Sequence, residues 1–217
     1  MAIITISRGS SSGGRALAER LADQLRYPRV AEEVLQEAAR KLGVSEDAVR
    51  GKFETAPGLW ERLHDERERY VLAVRAALAE LAVDGRLVYH GLAGQFLLRG
   101  LKGVLRVRLI APMEMRVRAV MADDPAMTRN EAEDFIRNVD HERRRRVKAM
   151  YGEDVEDPAL YDLTVNLRTL SLNGVCAAVV EAASQPRLEI TPDVRAELEA
   201  FASACRVRLD VALAGGH

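Results

Sequence analysis

Cysteine is scarce in this sequence, since Cys176 and Cys205 are the two copies in 217 residues. Two cysteines are too few for the disulfide framework of a small secreted protein, and Cys176 lies in an apolar run where a free thiol packs like a small hydrophobe. The sequence also has no run of about 18 apolar residues, which a membrane helix requires. The first residues carry no basic segment of the kind that opens a signal peptide. These absences predict a cytoplasmic protein with no membrane partner.

An excess of charge of either sign is also missing, because 32 basic residues face 33 acidic ones and the formal net charge is −1. A binder of nucleic-acid polymers needs an extended basic surface. This balance provides none over the whole chain, so any affinity for phosphate must be local. The apolar share of 48% and the charged share of 30% are typical of a globular protein. The length allows one domain or two, as a monomer or a homodimer.

Segments typical of strands and of helices alternate along the chain. Strands are predicted at 2–7, 86–90, 104–111 and 162–166, and helices at 15–26, 32–42, from 46, 60–83, 113–121, 129–151 and 173–184. Thr128 and Glu131 form a capping-box pattern, and Gly152 is a stop signal for the same helix. This alternation predicts an α/β fold, a parallel sheet with helices on both faces, whose ligands bind at the carboxyl ends of the strands. After Pro186 the alternation stops, and we expect residues 185–217 to form a helical appendage that begins at Thr191 and Pro192.

The turn after the first strand is rich in glycine and serine, and reads Gly9-Ser-Ser-Ser-Gly-Gly-Arg15-Ala16. The P-loop pattern is G-x-x-x-x-G-K-[ST], so both glycines match, while Arg15 replaces the lysine and Ala16 the magnesium-binding hydroxyl. Small residues let backbone N–H groups turn towards an anion, and the following helix adds its dipole. The alternative is a turn that merely joins a strand to a helix. The predicted nucleotide-binding residues are Gly9, Ser10, Ser11, Ser12, Gly13, Gly14, Arg15 and Asn166, the last at the end of the fourth predicted strand, where a turn-forming role is the alternative.

A charged helical stretch carries Arg137, Asp140 and Arg143 at intervals of three residues, which puts them on one broad face. Phosphoryl transfer needs positive charge on the transferring oxygens and exclusion of water, and arginines on a closing lid provide both. Asp140 can hold one arginine through a bidentate pair. These three residues and Arg15 are the catalytic candidates. A solvated charged helix is the alternative, and RNA binding through residues 143–146 is disfavoured because no aromatic platform lies nearby.

Three segments resemble motifs of the cytidylate kinase-like family, a branch of the nucleoside monophosphate kinases. They are Ile6-Ser-Arg-Gly-Ser-Ser-Ser-Gly-Gly-Arg15, the pair Val139-Asp-His-Glu-Arg143 and Met150-Tyr-Gly152, and Tyr161-Asp-Leu-Thr-Val-Asn166. Their order and spacing agree with the family from residue 2 to about 184. The resemblance implies a P-loop kinase fold over residues 1–184, with a lid at about 127–152. It also implies transfer of a phosphoryl group from ATP, with Mg²⁺, to a nucleoside monophosphate, with CMP as the expected acceptor.

Four positions depart from what the family or the P-loop pattern leads one to expect. Ala31 stands where family members usually carry Asp, and Leu92 follows Gly91 where they carry Arg; both lost residues would contact the acceptor. His90 ends a strand where many P-loop proteins place an acid for Mg²⁺, and we expect a hydrogen-bonded structural histidine there because Mg²⁺ prefers oxygen. Together with Ala16, these departures leave two hypotheses open. The first is a nucleoside monophosphate kinase, and the second is a nucleotide-binding or regulatory protein on the same fold with little or no turnover.

Overall fold

A parallel β-sheet forms the centre of the computed structural model, which describes residues 2–54, 64–91 and 93–215, with the backbone alone for 53, 54 and 64–67. In this part of the chain the sheet has five strands in the order β2-β3-β1-β4-β5, and every neighbouring pair is parallel. The strands are β1 (Ile3–Arg8), β2 (Arg29–Val30), β3 (Leu87–Tyr89), β4 (Val104–Ile110) and β5 (Leu163–Asn166). The predicted α/β class with a parallel sheet is therefore confirmed.

Helices join the strands and cover the sheet. In the described residues they are α1 (Gly14–Leu25), α2 (Glu33–Leu42), α3 (Glu46–Glu54), α4 (His64–Leu81), α5 (Gly94–Leu97), α6 (Met113–Asp123), α7 (Arg129–Tyr151), α8 (Leu172–Ala183) and α9 (Pro192–Ala214). Single 3-10 turns lie at Pro158–Leu160 and Pro186–Leu188. No helix in these ranges is long and apolar enough to cross a bilayer.

Local sequence signals set several helix ends. Thr128 and Glu131 form both hydrogen bonds of the predicted capping box, and α7 ends at Gly152 in the left-handed conformation. Thr191 caps α9, with Pro192 in the first turn. The helix predicted for 60–83 ends two residues earlier, because the chain turns after Leu81 and reaches Gly85 at a positive φ of 68°. The predicted start of that helix falls in 55–63, outside the described residues.

Two hydrophobic cores form because alternate residues of the central strand point to opposite faces. Ile3 packs with residues of α2, α4 and α9 on one face, and Ile4 and Ile6 pack with α1 and α8 on the other. A strand buried on both faces needs a nearly continuous apolar run, which residues 2–6 supply with Thr5 as their one polar member. Both cysteines are buried, Cys176 in one core and Cys205 in the other, and the packing role predicted for Cys176 is confirmed.

The C-terminal helix α9 packs against the same core as α4. Its inner face buries Val194, Leu198, Ala202, Cys205 and Leu209, each less than a tenth exposed. The division of the chain into a domain of residues 1–184 and an appendage stays a prediction. The appendage nevertheless has an apolar face that belongs to the core beside the sheet.

Candidate active site

The predicted phosphate-binding loop, residues 9–15, hereafter the phosphate loop, lies at the carboxyl end of the central strand. β1 ends at Arg8 and α1 begins at Gly14, with Ser11 and Gly13 at positive φ values of 51° and 81°. The Ser12 hydroxyl donates to the carbonyl oxygen of Gly9 at 2.9 Å, which closes the loop on itself.

The amides of this loop are available to a ligand. Among the described residues, the N–H groups of Ser11, Ser12, Gly13, Gly14 and Arg15 donate to no acceptor. Consecutive unsatisfied N–H groups at the N-terminus of a helix form an anion-binding site, to which the helix dipole contributes. The geometry is therefore that of a loop able to hold phosphate oxygens.

Asp140 and Arg116 fix the first residue of the loop to two helices. The Asp140 carboxylate accepts from the Ser10 amide at 2.9 Å and from its hydroxyl at 3.1 Å. Arg116, in α6, donates to the Ser10 carbonyl and hydroxyl, both at 2.7 Å, and pairs with Asp140. Burial works against ionisation of Asp140, but the bonds from Ser10 and Arg116 outweigh it and lower the pKa of the carboxyl. A carboxylate that accepted from all the loop amides would contradict anion binding. Asp140 accepts from one of them, the amide of Ser10.

Arginines meet between the loop and α7, the helix of the predicted lid. Arg143, in α7, donates to the carbonyl oxygen of Arg8, and the Nε–H of Arg8 donates to Nε2 of His90. Burial, and then the charges of Arg143 and Arg15, lower the pKa of Arg8 to about 10. Within the described ranges, no carboxylate lies within salt-bridge distance of Arg8, Arg15, Arg29 or Arg143. The charges of Arg8, Arg15 and Arg143 are close enough to repel one another, and among the described residues no carboxylate pairs with them directly.

A cavity of about 440 Å³ opens beside these arginines. Its wall contains residues from β1, β3, α1, α2, α3 and α7, so it lies at the carboxyl ends of the strands, where ligands of parallel sheets bind. The charged wall residues are Arg8, Arg15, Arg29, Arg50, Arg143, Arg146, Glu19, Glu32 and Glu33. Six arginines against three glutamates favour an anionic ligand.

His90 accepts a hydrogen bond at the end of β3 and carries no charge. Burial first, and then the charges of Arg8 and the neighbouring arginines, lower the pKa of His90 to about 3. The imidazole is therefore neutral over the physiological range, with Nε2 as the acceptor for Arg8. The hydrogen bond expected of this histidine is therefore present.

Acid is expected to destabilise the protein through His90. An unfolded histidine has a pKa near 6.5, so between that value and about 3 the unfolded state binds more protons than the folded state. Stability is therefore fully present above pH 6.5 and is lost as the pH falls. We expect the natural protein to lose about 2 kcal/mol more than His90→Gln between pH 7 and pH 5. Urea unfolding at both values measures this difference, and equal losses in the two proteins would contradict the neutral, buried state of His90.

The two positions from which P-loop proteins usually approach Mg²⁺ offer no oxygen ligand here. Ala16 has no hydroxyl, and Nε2 of His90 is already an acceptor for Arg8. Across the described residues no group of three or more His, Cys, Asp or Glu side chains is arranged to hold a metal ion. The chain thus does not fit a directly coordinated Mg²⁺ at these positions, and an ion that arrives with a nucleotide would be held by phosphate oxygens and water.

The other predicted site residues lie in different settings. Arg137 is 64% exposed and faces Glu133 at 3.8 Å on its own helix, as the solvated-helix alternative predicts. The Asn166 side chain accepts from the Arg168 amide at 2.9 Å, which is the turn-forming alternative. Ala31 lines the cavity and its amide donates to Glu33 at 2.8 Å. Leu92 lies outside the described residues.

Two residues of the candidate site were not singled out by the sequence analysis. Arg8 directly precedes the phosphate loop, and its position at the carboxyl end of a central strand is a signal that could have identified it. Arg116 has no such signal, because it is one of several arginines in 113–121 and reaches Ser10 across 106 positions of the sequence.

Several known proteins are similar to this chain in sequence or in fold. The profile of the cytidylate kinase-like family matches residues 3–169. A cytidylate kinase of Methanopyrus kandleri is 29% identical over 192 residues, which cover 86% of this chain and 95% of that protein. A crystal structure of a protein from Eubacterium ventriosum aligns with a TM-score of 0.65 at 16% identity, over 84% of this chain and 97% of the other. Shikimate kinase from Bacteroides thetaiotaomicron shares the fold, with a TM-score of 0.50, 12% identity, and 85% and 99% coverage. The profile match spans most of the chain, and the chain belongs to the cytidylate kinase-like family.

Proposed function

We propose that this protein is an ATP-dependent kinase that transfers a phosphoryl group to a nucleoside monophosphate of the CMP type. The observation that carries the proposal is the set of arginines without carboxylate partners, Arg8, Arg15 and Arg143, between the phosphate loop and the cavity. Phosphoryl transfer is catalysed mainly by positioning and by positive charge on the transferring oxygens. A loop of free amides beside an arginine-lined cavity supplies both.

The parts of the site divide between donor and acceptor. The amides of residues 11–15 would hold the donor phosphates, as unsatisfied N–H groups at a helix N-terminus do. Arg143, from the lid helix, and Arg15, from the first turn of α1, would lie against the phosphoryl group in transit. The acceptor would occupy the cavity, whose arginines favour a phosphorylated molecule. ATP normally brings Mg²⁺, which neutralises phosphate charge when bound.

Residues 127–152 would act as the lid. Asp140 and Arg143, three residues apart on α7, both reach the phosphate loop, through Ser10 and through Arg8. Arg137 is exposed and pairs with Glu133 on its own helix, so a role for it at the loop would require movement of the helix. Cytoplasmic location and the nucleotide ligands stay predictions of the sequence.

A regulatory protein without turnover is the second candidate. The observations that favour it are Ala16, which removes a usual metal ligand, and the Asp140 carboxylate, which already occupies the Ser10 amide. A donor phosphate would have to compete with this carboxylate for the first amide of the loop.

An assay of ADP release across a panel of acceptors, run beside ATP binding by calorimetry, separates the two functions. We expect ADP release that depends on an added nucleoside monophosphate. Tight ATP binding with no acceptor-dependent turnover would instead select the regulatory function.

CMP is expected to bind weakly. The family's usual Asp is Ala31 in the cavity wall, and its usual Arg is Leu92. Loss of a hydrogen bond from an arginine to phosphate costs about 1.5–3 kcal/mol, which corresponds to roughly 10- to 150-fold in affinity. Leu92→Arg, alone or with Ala31→Asp, should therefore strengthen CMP binding in calorimetry. Micromolar CMP binding by the natural protein would show that other residues hold the acceptor, and no gain in either variant would mean that the cavity serves another ligand.

A further inference from the structure

Arg8 is fixed at three points of its length. Its carbonyl oxygen accepts from Arg143, and its Nε–H donates to His90. Its aliphatic stem crosses the first turn of α1 so closely that a Cβ at Gly14 would lie 2.1 Å from its Cδ. His90 is itself anchored, because its amide donates to the Val30 carbonyl at 3.0 Å. The guanidinium is therefore held in one place, with little conformational entropy left to lose on binding.

The remaining donors of Arg8 face no acceptor. Among the described residues, Nη1 and Nη2 of Arg8 donate to no group, and no carboxylate lies within salt-bridge distance. Arg143 and Arg15 are close enough to lower the pKa of Arg8. A half-buried charge without a partner, among like charges, costs free energy that a purely structural residue would not retain. Such a charge is accounted for if an anion arrives beside it.

Because His90 is neutral, it does not cancel the positive charge of Arg8. A carboxylate at the end of β3 would pair with the guanidinium and cancel its charge. An imidazole orients the same Nε–H without neutralising it, and the full positive charge stays directed at the ligand. A histidine at this position therefore does more than remove a metal ligand, because it also leaves Arg8 charged.

We propose that Arg8 is a catalytic residue that contacts the phosphoryl group in transit, and that His90 is the positioning residue that aims it. The proposal deepens the proposed function and rests on it. In the reaction, an oxygen of the acceptor phosphate forms a bond to the γ-phosphorus of ATP. The bond from that phosphorus to the β–γ bridging oxygen breaks, and its electron pair stays on the β-phosphate of ADP. Arg8 donates to the equatorial oxygens of the group that moves, so it binds ATP through the one phosphate that ADP lacks.

The first test compares Arg8→Met with Arg187→Met, which removes an exposed arginine far along the chain. Loss of one preorganised donor costs about 100- to 1,000-fold in kcat, and we expect this for Arg8→Met alone. Calorimetry should show ATP binding weakened by at least about tenfold and ADP binding changed by less than about threefold, by the worth of a charged hydrogen bond. Because the ATP-against-ADP comparison needs no turnover, it tests Arg8 even if the protein proves to be no kinase. Equal losses for ATP and ADP, or a kcat within threefold of the natural protein, would overturn the role of Arg8.

The second test separates orientation from charge at His90. His90→Gln keeps an acceptor for Arg8 and should retain kcat within about threefold, while His90→Leu removes the acceptor and should lower kcat by at least tenfold at similar KM, the loss of one hydrogen bond to a charged group. His90→Glu should lower kcat as far as Arg8→Met does, because a carboxylate neutralises the guanidinium. Thermal unfolding of each variant identifies any folding defect. The kcat values of the glutamine and leucine variants are then compared between proteins that are both folded. Equal kcat in these two would exclude a positioning role for His90.

Discussion

Gly14→Ala is expected to abolish phosphoryl transfer. A Cβ at this position would lie 2.1 Å from Cδ and 2.9 Å from Nε of Arg8, and the middle of that side chain is fixed to His90. The alanine must therefore push Arg8 out of the cavity or open the loop, and either movement separates the donor phosphates from their ligands. We expect kcat to fall by at least about 100-fold, the usual loss for one preorganised donor, with ATP binding weakened in calorimetry.

Gly174→Ala is the matched control for that change. Gly174 also lies in the first turn of a helix, α8, but a Cβ there would meet its nearest atom, the Ser171 hydroxyl, at an ordinary 3.6 Å. We expect this variant to keep its activity and its thermal stability. Full activity in Gly14→Ala would show that Arg8 and the loop adapt to a methyl group, and that neither needs the observed placement.

Arg143→Met is expected to lower kcat by about 100- to 1,000-fold. Arg143 reaches from the lid helix to the carbonyl oxygen of Arg8, and no carboxylate of the described residues lies within salt-bridge distance of its side chain. Burial and the charge of Arg146 lower the pKa of Arg143, although Asp140 acts in the opposite direction. The guanidinium thus holds the loop at Arg8 and has no carboxylate close enough to neutralise it directly. Arg143→Lys should recover little, since an ammonium has no planar fork for phosphate.

Arg145→Met controls for the loss of an arginine from the same helix. Arg145 is 49% exposed and pairs with Glu142 at 3.3 Å, a surface contact worth about 1 kcal/mol or less. Steady-state kinetics should therefore leave Arg145→Met within about threefold of the natural protein, well inside one decade of rate. Similar losses in both variants would point to the overall charge of the helix, as the solvated-helix alternative requires.

The parts of the fold that the sequence predicted are those with local causes. The mostly β-branched run of residues 2–6 predicts a buried strand, and the capping box at Thr128 and the stop at Gly152 act within one turn of helix. The loop between Gly9 and Gly14 is recognisable because a tight turn around an anion needs small residues at fixed spacing. Such features depend on neighbours a few positions away, which a single sequence displays.

The side-chain contacts of the candidate site instead join residues that are far apart in the sequence. Arg8 meets His90 from 82 positions away, and Arg116 meets Ser10 from 106. The spacing of Arg137, Asp140 and Arg143 correctly put them on one helix, but could not show that two reach the loop while Arg137 pairs with Glu133.

The sequence by itself determined the parallel α/β fold and a glycine-rich loop at a strand end, because periodicity and turn chemistry are properties of adjacent residues. Only the tertiary structure decided which arginines are left without a carboxylate. Whether a cation is neutralised depends on the side chains that packing brings within a few ångströms, and 32 basic and 33 acidic residues allow many pairings. Packing places Asp140 against Arg116 and Ser10. It places an imidazole, rather than a carboxylate, beside Arg8. This arrangement leaves positive charge in the wall of the cavity.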